Sequence, residues 1–198
     1  MDTSAARRNG PVRIAGTVGL VGGLLSVVVD VYELLTLPIE VSMAASLRNV
    51  LFQLTAIAAL AGLAALGAAG STWWARLGIG VTFLGFVVLI SGELIEPFDP
   101  ATGETFFGIA PLLAAPGLVL AGVGVLRARR WSGWRRFVTL ACGVYLVVVF
   151  LPVVISTGTD AGFLAAVIGW GLGLAALGLA VAQEASVPTD SHARARVA

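Results

Sequence analysis

The sequence predicts an all-α integral membrane protein with six transmembrane helices. Apolar residues make up 58% of the 198 residues and charged residues only 12%, whereas a typical soluble domain is about 25% charged. The apolar residues form six stretches of about 20 residues, the length that a helix needs to cross a hydrocarbon layer about 30 Å thick. Short polar segments with alternating charge separate these stretches. We therefore expect a lipid bilayer to surround the chain.

The first apolar stretch, residues 13–36, resembles a signal peptide only at its start. It runs past the length of a signal core, contains Asp30 and Glu33, and has no small-residue cleavage site before them. We therefore interpret it as a transmembrane helix. The other spans are predicted at 48–69, 76–95, 106–126, 137–157 and 161–183, with turns marked by Pro38, Pro97, Pro100, Gly158 and Gly162 on one side and by Gly70 and Gly133 on the other.

The ends of the chain are polar and are predicted to lie outside the bilayer. Residues 1–11 form an N-terminal tail, residues 12–183 the transmembrane domain, and residues 184–198 a disordered C-terminal tail. Eleven of the twelve arginines fall in the tails, at the adjoining span ends or in the loops after spans two and four. Because short basic segments stay in the cytoplasm, we expect both tails to be cytoplasmic and the protein to lie in the cell (plasma) membrane.

A shift of 60 residues brings similar residues into register. Glu33 falls on Glu93, Trp74 on Trp134, and Arg76 on Arg136. If this similarity reflects a repeat, the unit is a two-helix hairpin that occurs three times in the same orientation. Compositional chance remains the alternative. The third copy has Val153 where the other two have glutamate, so a site built from the glutamates would be asymmetric.

Polar residues in the first three spans fall at similar depths below the acidic side of the bilayer. Ionisable groups within a span are costly, at about 2.5–3.5 kcal/mol each at a helix centre. Asp30 lies about six residues, or about 9 Å, from the end of its span. These residues, called the polar layer below, are predicted to form an outward-facing site for a solute or ion: Asp30, Glu33, Arg48, Asn49, Gln53, Ser91 and Glu93.

A structural interpretation of the polar layer remains open. Arg48 can neutralise Asp30 or Glu33, and the residues nearest the interface can face water. Asp30 is the hardest to explain in this way because it is the deepest carboxylate. The basic segment after span four also has two interpretations: it can hold the topology, or it can bind anionic lipid headgroups through Arg127, Arg129, Arg130, Arg135 and Arg136.

Missing residues and motifs argue against metal-dependent, nucleotide-dependent and serine-nucleophile enzymes. The single histidine, His192, lies in the C-terminal tail, there is no lysine, and no nucleotide-binding glycine motif or G-x-S-x-G motif occurs. We expect no cofactor, no metal and no nucleic-acid partner. The first hypothesis is a small transport or solute/ion-binding protein that uses the polar layer. The alternatives are a structural, assembly or sensory subunit that binds a protein partner or forms a homo-oligomer, and an intramembrane acid–base enzyme acting on a lipid or isoprenoid.

Overall fold

A computed structural model describes residues 3–37, 42–157 and 160–187 of the chain. The described residues contain helices and no strand. Predictions for Pro38 and Gly158, and for the C-terminal tail beyond residue 187, fall outside these ranges. The N-terminal tail predicted at 1–11 is helical from Thr3 onwards, since polar residues can continue a helix beyond the bilayer.

Within the described residues, six helical spans are long and apolar enough to cross a membrane. This confirms the predicted fold class and makes the chain a multi-pass membrane protein. A π-helical turn, Leu146–Phe150, joins α5 to α6 within the fifth span, and α7 is the sixth. The helices are α1 (Thr3–Leu35), α2 (Met43–Ala65), α3 (Trp73–Ile95), α4 (Pro100–Ala128), α5 (Arg135–Tyr145), α6 (Leu151–Thr157) and α7 (Asp160–Ala185).

Two helices begin earlier than the apolar pattern predicts because polar residues cap them. Ser42 precedes α2, and its hydroxyl accepts a hydrogen bond from the Ala45 backbone N–H at 3.2 Å. Asp99 precedes α4, and its carboxylate accepts one from the Thr102 backbone N–H, also at 3.2 Å. Both are favoured N-cap residues. Hydropathy detects only the apolar part of a helix, so the predicted starts at 48 and 106 are late.

The fifth span changes its winding before Pro152. The Leu151 N–H bonds to the carbonyl of Leu146, five residues back, instead of the usual four. Pro152 lacks an N–H, and its ring would clash with the carbonyl of Val148 in a regular α-helix. The π-helical turn relieves this clash, and it is the distortion of the helix that a proline in a span is expected to cause.

The six spans follow one another around the bundle, and α7 returns to contact α1. The most extensive contacts are those of α1 with α7 and of α3 with α4. Small residues allow this approach: a Cβ added to Gly23 would lie 2.6 Å from the Ala175 nitrogen. The helices α3 and α4 form the second predicted hairpin, so their close contact lies within one hairpin. The helices α1 and α7 belong to the first and the third hairpins, so their close contact lies between two hairpins. The 60-residue repeat stays a prediction.

The two ends of the bundle differ. The basic end contains the α2–α3 and α4–α5 connections, and the acidic end contains the connections from α1 to α2, α3 to α4 and α6 to α7. Large side chains fill the half towards the basic end, where Leu60, Leu63, Val125, Leu177 and Val181 are almost fully buried. The other half contains a cavity. These five side chains thus lie at the end opposite the candidate site, and the hydrophobic core continues from them to cavity-lining residues such as Leu146 and Trp170.

Candidate functional site

A cavity of about 890 Å³ lies at the acidic end, and residues from all six spans line it. Its volume is within the range of about 300–1,000 Å³ typical of small-molecule sites. On α1 the lining runs from Gly22 to Glu33. At 1.5 Å per helical residue this is a depth of about 16 Å, so the cavity reaches roughly halfway through a bilayer.

Asp30 lies in the wall of this cavity because it falls on the packed stripe of α1. Gly16, Gly19, Gly23 and Ser26 precede it on this stripe at intervals of three and four residues, and all are buried. Asp30 itself is only 7% exposed, and its Oδ2 atom has no hydrogen-bond partner. A carboxylate in such a position is costly unless a proton or a cation compensates its charge.

Four residues of the polar layer form a connected network at the top of the cavity. Arg48 forms a salt bridge of 2.7 Å with Glu33 and donates hydrogen bonds of 3.3 and 3.1 Å to the side-chain oxygen of Asn49. The Asn49 amide in turn donates to Glu93 at 3.2 Å. Arg48 is therefore the ion-pair partner of Glu33 and makes no salt bridge with Asp30.

Gln53 also lines the cavity, whereas Ser91 is not part of its lining. The Ser91 hydroxyl donates to the Val87 carbonyl of its own helix at 2.9 Å. Two residues along a helix correspond to a rotation of about 200°, so Ser91 and Glu93 point in nearly opposite directions. Counting depth along the span gave Ser91 the correct level but not the correct face. The structure therefore brings together six of the seven residues of the polar layer.

Three further carboxylates line the cavity that the polar layer did not include: Glu96, Glu104 and Asp160. All three belong to the acidic segments of the sequence, and their charge was the only feature from which their place near the cavity could have been predicted. Burial, followed by the nearby charge of Glu104, raises the pKa of Glu96. Asp99, just outside the lining, differs because hydrogen bonds from Thr102 lower its pKa. Among the described lining residues, six carboxyl groups thus face one guanidinium.

Aromatic side chains from five spans complete the wall. The Phe86 and Trp170 rings are stacked, with centroids 6.3 Å apart and planes at 25°, and both residues are buried. An aromatic residue in an apolar span has the same pattern whether it fills a core or lines a cavity, so sequence gave no signal for this group. Its members are Phe52, Phe86, Phe107, Phe150, Phe163 and Trp170.

Two polar groups of α5 have structural partners. The Cys142 thiol donates to the Gly173 carbonyl at 3.3 Å, and the Tyr145 hydroxyl donates to the Ala166 carbonyl at 2.9 Å. Both bonds join α5 to α7. In the described part of the chain, no group of three or more His, Cys, Asp or Glu residues is placed to hold a metal ion.

A second charged contact lies at the basic end, on the opposite side of the bundle from the acidic end. Arg135 approaches Glu184 with 3.1 Å between Nε and Oε1, and the Glu184 side chain is 5% exposed. This Glu184 oxygen accepts no hydrogen bond, so the contact is an ion pair alone. Arg130 donates to the Gly67 carbonyl at 2.9 Å, and Arg127 lies over the Trp74 ring at 5.6 Å.

No protein-family model, curated protein or solved structure matches this chain. Functional inference therefore rests on the chemistry of the cavity.

Proposed function

We propose that the protein binds a small solute or ion in the acidic-end cavity and carries it across the membrane. One observation supports this most strongly: the buried Asp30 oxygen has no partner and belongs to the wall of a cavity formed by all six spans. A purely structural carboxylate would be expected to have a hydrogen-bond partner or an ion-pair partner. Arg48, the one cation among the described residues of the lining, pairs with Glu33 instead.

The same pairing bears on the enzyme alternative. General acid–base catalysis by Asp30 and Glu33 would need both carboxyl groups to exchange protons with a substrate. Arg48 already holds Glu33 in a 2.7 Å salt bridge, so Glu33 is not free to act as the second carboxyl group of such a pair. Binding and transport need no such exchange, and they use the cavity as it stands.

We place the protein in the plasma membrane with the basic end in the cytoplasm, so that the cavity opens outward. The charge distribution supports this orientation because arginines dominate short cytoplasmic segments. Arg76, Arg127, Arg129 and Arg136 lie at the basic end, whereas Arg48 lies at the acidic end. Both chain ends are cytoplasmic in this arrangement.

Anionic lipid headgroups are a second proposed partner, at the basic end. Each exposed arginine near a charged leaflet contributes about 1 kcal/mol of attraction. Arg130 and Arg135 already bind protein groups, so Arg127, Arg129 and Arg136 are the stronger candidates. This contact would orient the protein and would leave the cavity unchanged.

Thermal stability of the purified protein against a panel of inorganic cations and small solutes tests the binding site. We expect at least one solute to stabilise the wild type and to have no effect on Asp30→Asn, which keeps the shape of the side chain but removes its charge. Ser91→Ala is the matched control, since Ser91 lies at a similar depth but outside the cavity. It should respond as the wild type does.

Flux into liposomes that contain the protein then tests transport. The solute that stabilises the wild type should enter liposomes with the wild type and with Ser91→Ala, but not with Asp30→Asn. If Asp30→Asn is simply less stable, and no solute stabilises either protein, then Asp30 is structural and the proposed function is wrong.

A further inference from the structure

The chemistry of the cavity wall narrows the ligand class, given the proposed binding function. In the part of the chain that the structure describes, six carboxyl groups and one guanidinium line the cavity, and the guanidinium is paired with Glu33. Charged groups of one sign in a low-dielectric cleft favour ligands of the opposite sign. The lining therefore selects a cation over an anion or a neutral solute.

The carboxyl groups are concentrated towards the acidic end of the bundle, and the aromatic pair lies deeper. Glu93 and Phe86 are seven residues apart on α3, which is about 10 Å along the helix. Asp160 and Trp170 are ten residues apart on α7, or about 15 Å. The cavity wall thus changes from acidic, towards the acidic end of the bundle, to aromatic at its inner end.

Asp30 lies close to the level of the aromatic pair. Ser26, one turn deeper on α1, packs against α7 at Gly171, where an added Cβ would lie 2.8 Å from the Ser26 hydroxyl oxygen. Gly171 is adjacent to Trp170 in the chain. Four helical residues span about 6 Å, so the unpartnered Asp30 oxygen lies about one helical turn above Trp170.

A single carboxylate about one helical turn from stacked aromatic rings is a poor site for calcium or magnesium. Calcium takes six to eight oxygen ligands and magnesium six, usually including several carboxylates or waters. Within the described residues no acidic group of that kind is assembled. By contrast, aromatic faces attract ammonium groups within about 6 Å of the ring centre and also bury apolar surface.

We infer that the ligand is a hydrophobic organic cation. Its protonated or quaternary amine lies against Asp30, and its apolar or aromatic body lies against Phe86 and Trp170. The carboxylates at the opening, Glu96, Glu104 and Asp160, attract the cation into the cavity. A volume of about 890 Å³ accommodates a ligand of drug-like size.

Calorimetric titration of the wild type with benzyltrimethylammonium tests this inference. Neopentylbenzene, which has carbon in place of the charged nitrogen, is the neutral comparison, and tetramethylammonium lacks the aromatic body. We expect each of these to bind at least about tenfold more weakly than benzyltrimethylammonium, since each lacks one of the two interactions. This comparison uses only the wild-type protein and does not depend on the folding of any variant.

Two variants locate the site. Asp30→Asn and Trp170→Leu should each weaken binding of benzyltrimethylammonium by about tenfold. Trp73→Leu is the control for a lost tryptophan, because Trp73 is 75% exposed and lies at the basic end. It should bind as the wild type does. Equal binding by Trp170→Leu and the wild type would overturn the placement of the ligand.

The outcomes also separate this inference from the proposed function. If calcium, magnesium or sodium stabilises the wild type through Asp30, and benzyltrimethylammonium does not bind, then the ligand class is wrong and the proposed function holds. Equal binding of the charged and neutral compounds would likewise refute the ligand class. If neither the organic cations nor the solutes of the stability panel bind, the proposed function fails as well.

Discussion

Gly16→Ala is the sharpest test of the packing that closes the bundle between α1 and α7. A Cβ at Gly16 would lie 2.5 Å from the Ala182 nitrogen and 2.8 Å from the Gly178 carbonyl oxygen. Both are main-chain atoms, so no side-chain rotation can relieve the contact, and the helices must separate. Overpacking of this kind costs about 1–3 kcal/mol.

Gly80→Ala is the matched control. Gly80 is also in the interior of an apolar helix, but nothing lies within 4 Å of a Cβ added there. Both variants gain the same preference for alanine over glycine in a helix, about 0.8–1 kcal/mol. The difference between them therefore isolates the clash, and we expect Gly16→Ala to be less stable than Gly80→Ala by about 1–3 kcal/mol.

Thermal unfolding in detergent, followed by tryptophan fluorescence, provides the measurement. A difference of 1 kcal/mol corresponds to about 2–4 °C for a protein of this size. If Gly16→Ala unfolds at the same temperature as Gly80→Ala, or at a higher one, the close backbone contact between α1 and α7 does not exist. The position of Asp30 within the bundle would then also be in doubt, because it lies on the same stripe.

Three further substitutions test charged groups. Glu184→Gln leaves the Arg135 charge without its ion-pair partner, and we expect a loss of stability of about 1–3 kcal/mol. This loss is smaller than for a fully buried pair because the Arg135 side chain is 19% exposed. An unchanged unfolding temperature would contradict this. Arg48→Gln removes the positive charge from the described cavity lining and should tighten binding of benzyltrimethylammonium about tenfold. This value is the Coulomb repulsion between the guanidinium and the ligand ammonium at a separation of about 10 Å and a dielectric constant of about 20. Weaker binding would refute the idea that the charge of the lining selects a cation. Burial raises the pKa of Glu96, so its ionisation disfavours the folded state as pH rises above the ordinary value of 4.5. Glu96→Gln should therefore be more stable than the wild type at pH 8 and equal to it near pH 4, and a parallel pH dependence of the two proteins would count against this.

The sequence was sufficient for the spans and for part of the cavity lining. The length of an apolar helix is set by the bilayer, so the lengths and spacing of the apolar stretches predicted six spans. Asp30 was identified because a carboxylate six residues inside a span needs a physical reason. The partner of Arg48 was left open between Asp30 and Glu33, and only three-dimensional geometry selects Glu33.

Other parts of the site needed the structure. Which face of a helix points inward depends on the neighbouring helices, and so Ser91 was wrongly grouped with Glu93 by depth. The aromatic wall was missed because Phe86 and Trp170 lie among other apolar residues that show no distinguishing period. Glu184 fell in a predicted tail, but α7 continues to Ala185 and buries it.

The central claim is that a ligand reaches Asp30 through the cavity. Mass spectrometry after treatment with a hydrophobic carbodiimide, which modifies protonated carboxyl groups within membranes, tests it directly. We expect modification of Asp30 in the protein alone and protection of Asp30 when benzyltrimethylammonium is present, whereas tetramethylammonium should protect less. Equal modification of Asp30 with and without the organic cation, or no modification under any condition, would contradict the account.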